Sequence, residues 1–490
     1  MTIPFSSVPS TLRVPFVAAE FDSRLAQQGP ALLPYRGLLI GQKTASGTGT
    51  ADTLYLVTSV NEVITLAGRG SMLHCMARAW FANNKSTELW IGILADNGAG
   101  TAATGSIAVT GPATADGTIP LYFGGVRIPV GVTAGQAATA IAANITAAIT
   151  AAADLPITAA TVSASSNLTY RHKGLVGNAY DVRQNFQAGE KLPAGVGLTI
   201  TQLSGGASNP TLTNLIAAMA PLWFQIWAHP YTDATSLAAL ETELGVEFGP
   251  LKAMGSLAIS SASGILSSLT TLGTGRNSPY SSIVSPPGIS PLTPPMELAA
   301  GTAAQVAFNA AIDPARGFQT LAVSGAVAPP ENDQFTLTEQ DLLLHDGIAT
   351  TRRVTGGGIQ LGRIITTYQT NSAGEADTAY LDATTLLTLI YLRYSFRVMM
   401  QTRYPRHKLA SDGTRVGRGQ LVITPAIGRA EALTWFRDME RLGLVEGYDQ
   451  FARDLVVERN ESDPNRLDFL LPPDLINQLI VTGALFQFRL

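Results

Sequence analysis

Apolar positions along the chain recur at two spacings, one of two residues and one near four, and the switches between them mark out the elements. Residues 36–41 (RGLLIG) form an apolar run bounded by Pro34 and a Gly/Thr/Ser stretch, which predicts a buried strand. Residues 63–83 place Met72, Met76 and Trp80 on one helical stripe, and 88–95 (ELWIGILA) predict a second core strand. Strand, helix and strand at this spacing predict an α/β layer. The same pattern resumes after residue 214, with a buried strand at 222–228 (LWFQIWA), a helix at 236–244, and a strand and loop at 257–265. Prolines 279, 286, 287, 291, 294 and 295 predict a long irregular crossing.

Further on, 337–350 predicts a short helix capped by Thr338 and ended by Gly347. A strand follows at 363–368, then a long apolar helix from Asp382 as its cap through Met400. Thr424-Pro425 predicts another helix start, with proline at the first position and Gly443 as the stop. Segments 455–458 and 467–471 predict a hairpin around 460–465. The chain ends on a period of two: Phe486, Phe488 and Leu490 fall on one face, and Gln487 and Arg489 on the other. That predicts a half-buried strand with no capping turn. At the other end, Pro4, Pro9 and Pro15 forbid a helix and predict an extended arm over 5–22. Two strand-like ends on a large body predict subunits that add strands to each other's sheets.

Between about 96 and 208 the composition shifts to Ala, Gly, Thr and Ser. Strands at 106–110 and 119–123, a Gly124-Gly125 hairpin turn into 126–130, and strands at 162–172 and 198–203 predict a small β-rich domain inserted into the body. Thr133 and Gln136 have the spacing of a capping box, opening an alanine-rich helix with Ile141, Ile145 and Ile149 on one face.

Composition adds constraints. With 490 residues, 46% of them apolar and 14% charged, the chain has material for several cores and a surface poor in charge, as if neighbours cover part of it. A net charge of −4 leaves no electrostatic footprint for nucleic acid, and no segment has the length and apolarity of a membrane span. No secretory signal opens the chain, which reads as made in the cytosol. The one cysteine, Cys75, sits in an apolar run and reads as a buried small hydrophobe. Five histidines share no metal-ligand spacing. Gly356-Gly357-Gly358 lacks the Lys-Ser/Thr of a phosphate loop, and Gly255-Ser256 lacks the context of a serine nucleophile. No catalytic residue, cofactor or metal is expected. One asymmetry stands out: 352–418 carries ten Lys/Arg against four acids, and 431–474 eleven acids against five arginines. Internal ion pairing is one reading, and a basic face meeting a neighbour's acidic face is the other.

The C-terminal half carries a series of short motifs: LTEQD at 337–341 with GIAT at 347–350, RIITTY at 363–368, YPRHKL at 404–409, DGTR at 412–415, RDL at 453–455, DPNRLD at 463–468, PPDL at 472–475 and QFRL at 487–490. In this order they resemble the contractile tail sheath proteins of Mu-like bacteriophages and related tailocins. Val8-Pro9, Arg13-Val14-Pro15 and Tyr35-Arg36-Gly37 extend the likeness less specifically.

The resemblance implies an α/β (mixed α+β) multi-domain tail-sheath architecture with an α/β core, an inserted β-rich domain and extended N- and C-terminal arms. Its parts would be an N-terminal linking arm (1–25), the core (26–95 and 209–355), the inserted outer domain (96–208), a C-terminal domain facing the tube (356–479) and a linking strand (480–490). The linking residues would be Val8, Pro9, Leu12, Arg13, Val14 and Pro15 at one end and Leu485, Phe486, Gln487, Phe488, Arg489 and Leu490 at the other. The implied role is structural: a helical homo-oligomer of sixfold rings in a virion tail, assembled in the bacterial host cytoplasm. Its partners would be further copies of itself, a tail tube protein, and baseplate and tail terminator proteins, with no nucleic acid or membrane. Two rival readings are another virion structural protein (tube or baseplate) and a hydrolase with an inserted β-domain.

Overall fold

The computed structural model describes residues 33–489 except Arg418, together with Val14. The predicted linking residues Val8, Pro9, Leu12, Arg13, Pro15 and Leu490 therefore lie outside the described residues. Two compact units account for the rest, one of residues 34–393 with 474–489 and one built on 394–473.

The larger unit opens with β1 (Arg36–Gln42), β2 (Thr53–Val57), α1 (Val60–Ala67), α2 (Met72–Asn83) and β3 (Glu88–Leu94). The helix expected over 63–83 is thus two helices. Gly68 and Gly70 adopt φ of 89° and 70°, which an α-helix does not contain, and Ser71 caps the second helix by accepting from the His74 N–H at 3.0 Å. The stripe of Met72, Met76 and Trp80 is fully buried against the sheet.

Next come β4 (Ala102–Thr110), β5 (Gly117–Phe123), β6 (Val126–Val132), α3 (Ala138–Ala151), β7 (Ile157–Val162), β8 (Ser165–Lys173), β9 (Val182–Gln184) and β10 (Gly197–Ser204). They form a four-stranded sheet, β10-β4-β8-β7, and a three-stranded one, β6-β5-β9. The strand expected over 162–172 is β8, starting at Ser165, and it is preceded by an unexpected partner, β7, the two turning at Ser163 with φ 54°. The Thr133/Gln136 pair closes a turn ahead of α3 rather than capping it: Gln136 N–H donates to Thr133 O at 3.1 Å, and the helix starts five residues later than Thr133, on Ala138 with no side-chain cap. Ile141, Ile145 and Ile149 are buried as the spacing predicts.

The larger unit then continues through α4 (Thr213–Met219), β11 (Ile226–Ala228), α5 (Ala234–Phe248), β12 (Leu257–Ser261), α6 (Leu266–Thr274), β13 (Ser281–Ser285), α7 (Pro295–Ile312), β14 (Ala322–Val327), α8 (Leu337–His345), β15 (Ile348–Arg353) and β16 (Gly358–Leu361). With β1 to β3 these strands make one nine-stranded sheet, β14-β16-β15-β13-β12-β11-β1-β3-β2. Its centre, from β15 to β3, is parallel. Burial on both faces explains why those strands read as apolar runs without alternation.

The expected strand at 222–228 shrinks to the three residues of β11 because Leu222 N–H closes a turn on Met219 O. The irregular crossing expected over 279–295 contains the fully buried strand β13, and α7 begins at its end, where no element was expected; eleven of its eighteen residues are buried, so it shows no amphipathic stripe to read. α8 is capped by Thr336 rather than Thr338, with Glu339 completing a capping box, and 348–353 forms a strand rather than its last turn. The segment 363–368 makes a single bridge, Ile365 to Asp382, instead of a strand.

α9 (Ala383–Arg403) carries the chain out of the larger unit. The smaller unit holds β17 (Lys408–Leu409), β18 (Val422–Ile423), α10 (Pro425–Arg441), β19 (Val445–Glu446), α11 (Tyr448–Asp454), β20 (Val456–Arg459) and β21 (Leu467–Leu470). α10 begins at Pro425 with Thr424 as its cap, as expected. Phe436 stacks on Phe451 at 4.1 Å, and Trp435 donates to Ser395 Oγ at 3.0 Å.

Glycine is required where β1 crosses α2. A Cβ on Gly37 would lie 2.3 Å from the buried ring of Trp80. Gly37→Ala is expected to destabilise the chain by ~1–3 kcal/mol through overpacking, seen as a lowered Tm. Gly98→Ala, with nothing within 4 Å of the added carbon, is expected to leave Tm unchanged.

Candidate assembly site

The C-terminal arm has an anchored root and a free end. At the root, the Gln478 amide bonds Thr384 Oγ1 at the start of α9. A cavity of about 190 Å³ beside it is lined by Arg363, Asp382, Thr385 and Ile476. Arg363 grips Asp382 through two bonds of 2.9 Å, which holds the turn into α9 against the strand end it follows. Beyond the root the chain leaves the surface. Leu485, Phe486 and Phe488 are 87%, 89% and 84% exposed. Gln487 and Arg489 are exposed as well, and 476–489 has no secondary structure. The terminal strand expected from the alternation is therefore not formed within one chain: no partner strand lies beside it among the described residues. Val14, the one described residue of the other arm, is exposed.

A place for an added strand exists in the smaller unit. β20 and β21 pair antiparallel, Val456 with Leu470 through Arg459 with Leu467, as the sequence predicts. Asn460 N–H donates to Arg466 O, and this fixes the parity: Val456 and Glu458 bond inward to β21, while the N–H and C=O of Val457 face out. By the same alternation Leu467 and Phe469 face out from β21, and among the described residues no backbone group bonds either outward edge of the hairpin. One face is covered by α10, which Gly428 allows to approach within 3.1–3.2 Å of Leu467, Phe469 and Val457, measured to an added Cβ. The other face presents exposed Val456 and Leu470 beside Glu458 and Asp468.

The two charge blocks are partly neutralised inside the chain. Arg403 meets Glu431, Arg437 meets Glu440 at 2.7 Å, Arg441 meets Asp438 at 2.9 Å and Arg466 meets Asp468 at 2.5 Å. Among the described residues Arg397, Arg406 and Arg415, and Glu446, Asp449 and Glu461, form no ion pair. Such pairs at a surface add little stability individually.

Cys75, His229 and Ser256 are sealed in. Cys75 is fully buried, and burial pushes its thiol far above the usual range. His229 is fully buried and held neutral, its pKa pushed down to about 4 by burial. Ser256 is fully buried and donates to Glu247 Oε2 at 2.8 Å, with no histidine between them. Gly356 and Gly357 turn β15 into β16, with Gly357 N–H on Val354 O. No group of three metal-binding side chains occurs among the described residues.

The phage tail sheath protein central domain matches residues 205–367, and the phage tail sheath C-terminal domain matches residues 375–488. Over 490 residues, and the whole of both chains, the sequence is 37% identical to the Mu-like prophage FluMu tail sheath protein of Haemophilus influenzae. In fold the chain resembles a sheath tail protein of Listeria innocua, at 12% identity and a TM-score of 0.51 over 92% of this chain and 94% of that one. It also resembles the PVC sheath of an extracellular contractile injection system in the contracted state, at 10% identity and a TM-score of 0.51 over 98% of each chain.

Glu247 offers a titratable check on this packing. Burial raises its carboxyl from 4.5 to about 7, so the folded chain holds that proton more tightly than the unfolded one. The group therefore lowers stability as pH rises from about 4.5 to about 7, and the loss persists above that. Glu247→Gln is expected to melt with the parent near pH 4 and to be more stable at pH 8 by on the order of 1–3 kcal/mol, read by calorimetry at both values.

Proposed function

The chain belongs to the contractile phage tail sheath proteins, and from that premise we propose that its terminal arms lace neighbouring copies into a helical array that shortens without coming apart. It is a structural subunit of a tail sheath, and the full-length 37% identity to a sheath protein carries that conclusion. The array consists of sixfold rings around a tail tube, with baseplate and tail terminator proteins at its ends, and it is assembled in the bacterial host cytoplasm. Its contraction drives the tube through the host envelope. The subunit works mechanically, with no catalysis, cofactor, nucleic acid or membrane of its own; the burial of Ser256, Cys75 and His229 supports this reading over a hydrolase.

The arm and the hairpin suit each other. Residues 481–490 reach about 30 Å when extended. Laid along the edge of a neighbour's hairpin, Phe486 and Phe488 continue the face shared by Val457 and Phe469, while Gln487 and Arg489 join the face that carries Glu458 and Asp468. Several backbone hydrogen bonds form at each junction, each worth ~0.5–1.5 kcal/mol net. A junction of that kind bends at the arm and holds at the strand, so rigid bodies can slide and rotate past one another while remaining tethered. A repeated heterologous contact whose rotation does not close makes an open tube. Contraction then buries more surface between subunits than the extended state does, which supplies its driving force.

Removing the arm tests this directly. A chain ending at Thr482 is expected to fold with the parent Tm and to sediment as a monomer, where the full chain forms wide hollow tubes in negative stain. Normal tubes from the shortened chain would refute the lacing role.

A further inference from the structure

The larger unit treats its sheet edges unequally. β14 (AVSGAV) is an edge strand with no charge or proline, the composition that invites pairing with another chain. Side chains stop it. Asn83 accepts from the Ser324 N–H at 2.7 Å and donates to Ser324 O at 3.1 Å, as a paired strand would; Gln305 donates to Ala322 O, and Thr293 accepts from the Val327 N–H.

The four-stranded sheet of the 102–204 region has two edges of the same composition, β7 (ITAATV) and β10 (GLTITQLS), without such stops. Arg171 N–H donates to Pro156 O, which sets the parity of β7: Thr158, Ala160 and Val162 bond to β8, and Ile157, Ala159 and Thr161 turn their N–H and C=O outward. Val109 N–H donates to Ala164 O, which leaves Thr110, Ala108 and Ser106 to bond Gly197, Thr199 and Thr201. Leu198 and Ile200 of β10 therefore face outward. Among the described residues nothing bonds these outward groups. Only the far end of β10 is tied, by the Gln202 side chain on the Val182 backbone.

We propose that this sheet continues from copy to copy, the β7 edge of one subunit pairing with the β10 edge of the next. All strand pairs in the sheet are antiparallel, so β7 and β10 run in opposite directions. A second copy displaced along the sheet without being turned over presents its β10 antiparallel to the first copy's β7. That contact joins two different edges, repeats indefinitely, and suits an open array rather than a closed dimer. With no charge in either strand, no like-charge repulsion opposes it. The inference rests on the sheath reading above, since only a polymer keeps both edges supplied with a partner.

The test uses full-length chain. Ala159→Pro and Leu198→Pro each remove one outward N–H and leave every ladder bond to β8 or β4 in place. Both are expected to melt with the parent and to pellet as polymer at least roughly tenfold less at a given concentration. In a second arm, Ala160→Cys with Thr199→Cys, treated with a short bismaleimide after assembly, is expected to give a ladder of covalent multimers; Cys75 is buried and stays silent. If both proline variants polymerise as the parent does and no ladder forms, the edge pairing is overturned. Should the chain ending at Thr482 fail to polymerise in the same series, the arm reading stands alone. Cross-linking of Ala160→Cys to Gln487→Cys but not to Thr199→Cys names the arm as the occupant, and this also overturns the proposal.

Discussion

A β-strand has N–H and C=O groups on two sides, and each side must find a partner or water. That requirement organises this molecule. In the nine-stranded sheet it is met from β15 to β3 by parallel neighbours, and at β14 by Asn83, Gln305 and Thr293 standing in for one. Among the described residues, the hairpin β20–β21 has no partner on either outer edge and the arm after Val481 forms no ladder. In the lacing proposed above, what is left unpaired in one copy is completed by a neighbouring copy, so the fold of the subunit and the assembly of the sheath would draw on the same bond.

Movement between subunits needs bodies that do not deform, and the larger unit is built for this. The 102–204 region is fastened to the parallel sheet through buried groups. His172, on β8, accepts from the Met72 N–H at 2.9 Å and turns its other nitrogen to Asp96 at 3.1 Å. Gln42, at the end of β1, donates to that same Asp96 and to Lys173 O. Each of these groups is costly to bury unpaired, so the network holds the region in one place. By contrast the arm buries little beyond its root at Gln478.

Much of this was legible in order along the chain. The apolar runs gave β1, β3, β12 and the helix α9, and Thr424-Pro425 and Gly124-Gly125 marked a helix start and a hairpin. The errors have physical causes. α7 lacks a polar face because neighbours surround it, so periodicity had nothing to show. Thr336 outcompeted Thr338 as a cap because only its spacing to Glu339 closes the box, and Thr133 with Gln136 closed a turn because that turn ends before α3 begins. The anchoring of Gln478 on Thr384 joins residues 94 apart in sequence and left no local signal.

The sequence by itself therefore determined which segments are strands and helices, which residues are apolar enough to be buried, and, through the order of its motifs, the sheath family. Those properties are local, or are carried by residue identity. The tertiary structure alone decided which strand edges are closed and which stay open. An edge is open or closed according to what lies beside it, and the side chains that close β14 come from Asn83, Thr293 and Gln305, elements far from it or merely adjacent in the chain, with nothing in the strand itself to announce them. The terminal alternation of Phe486 and Phe488 predicts a strand; that these side chains stay exposed in the single chain is visible only in the tertiary structure.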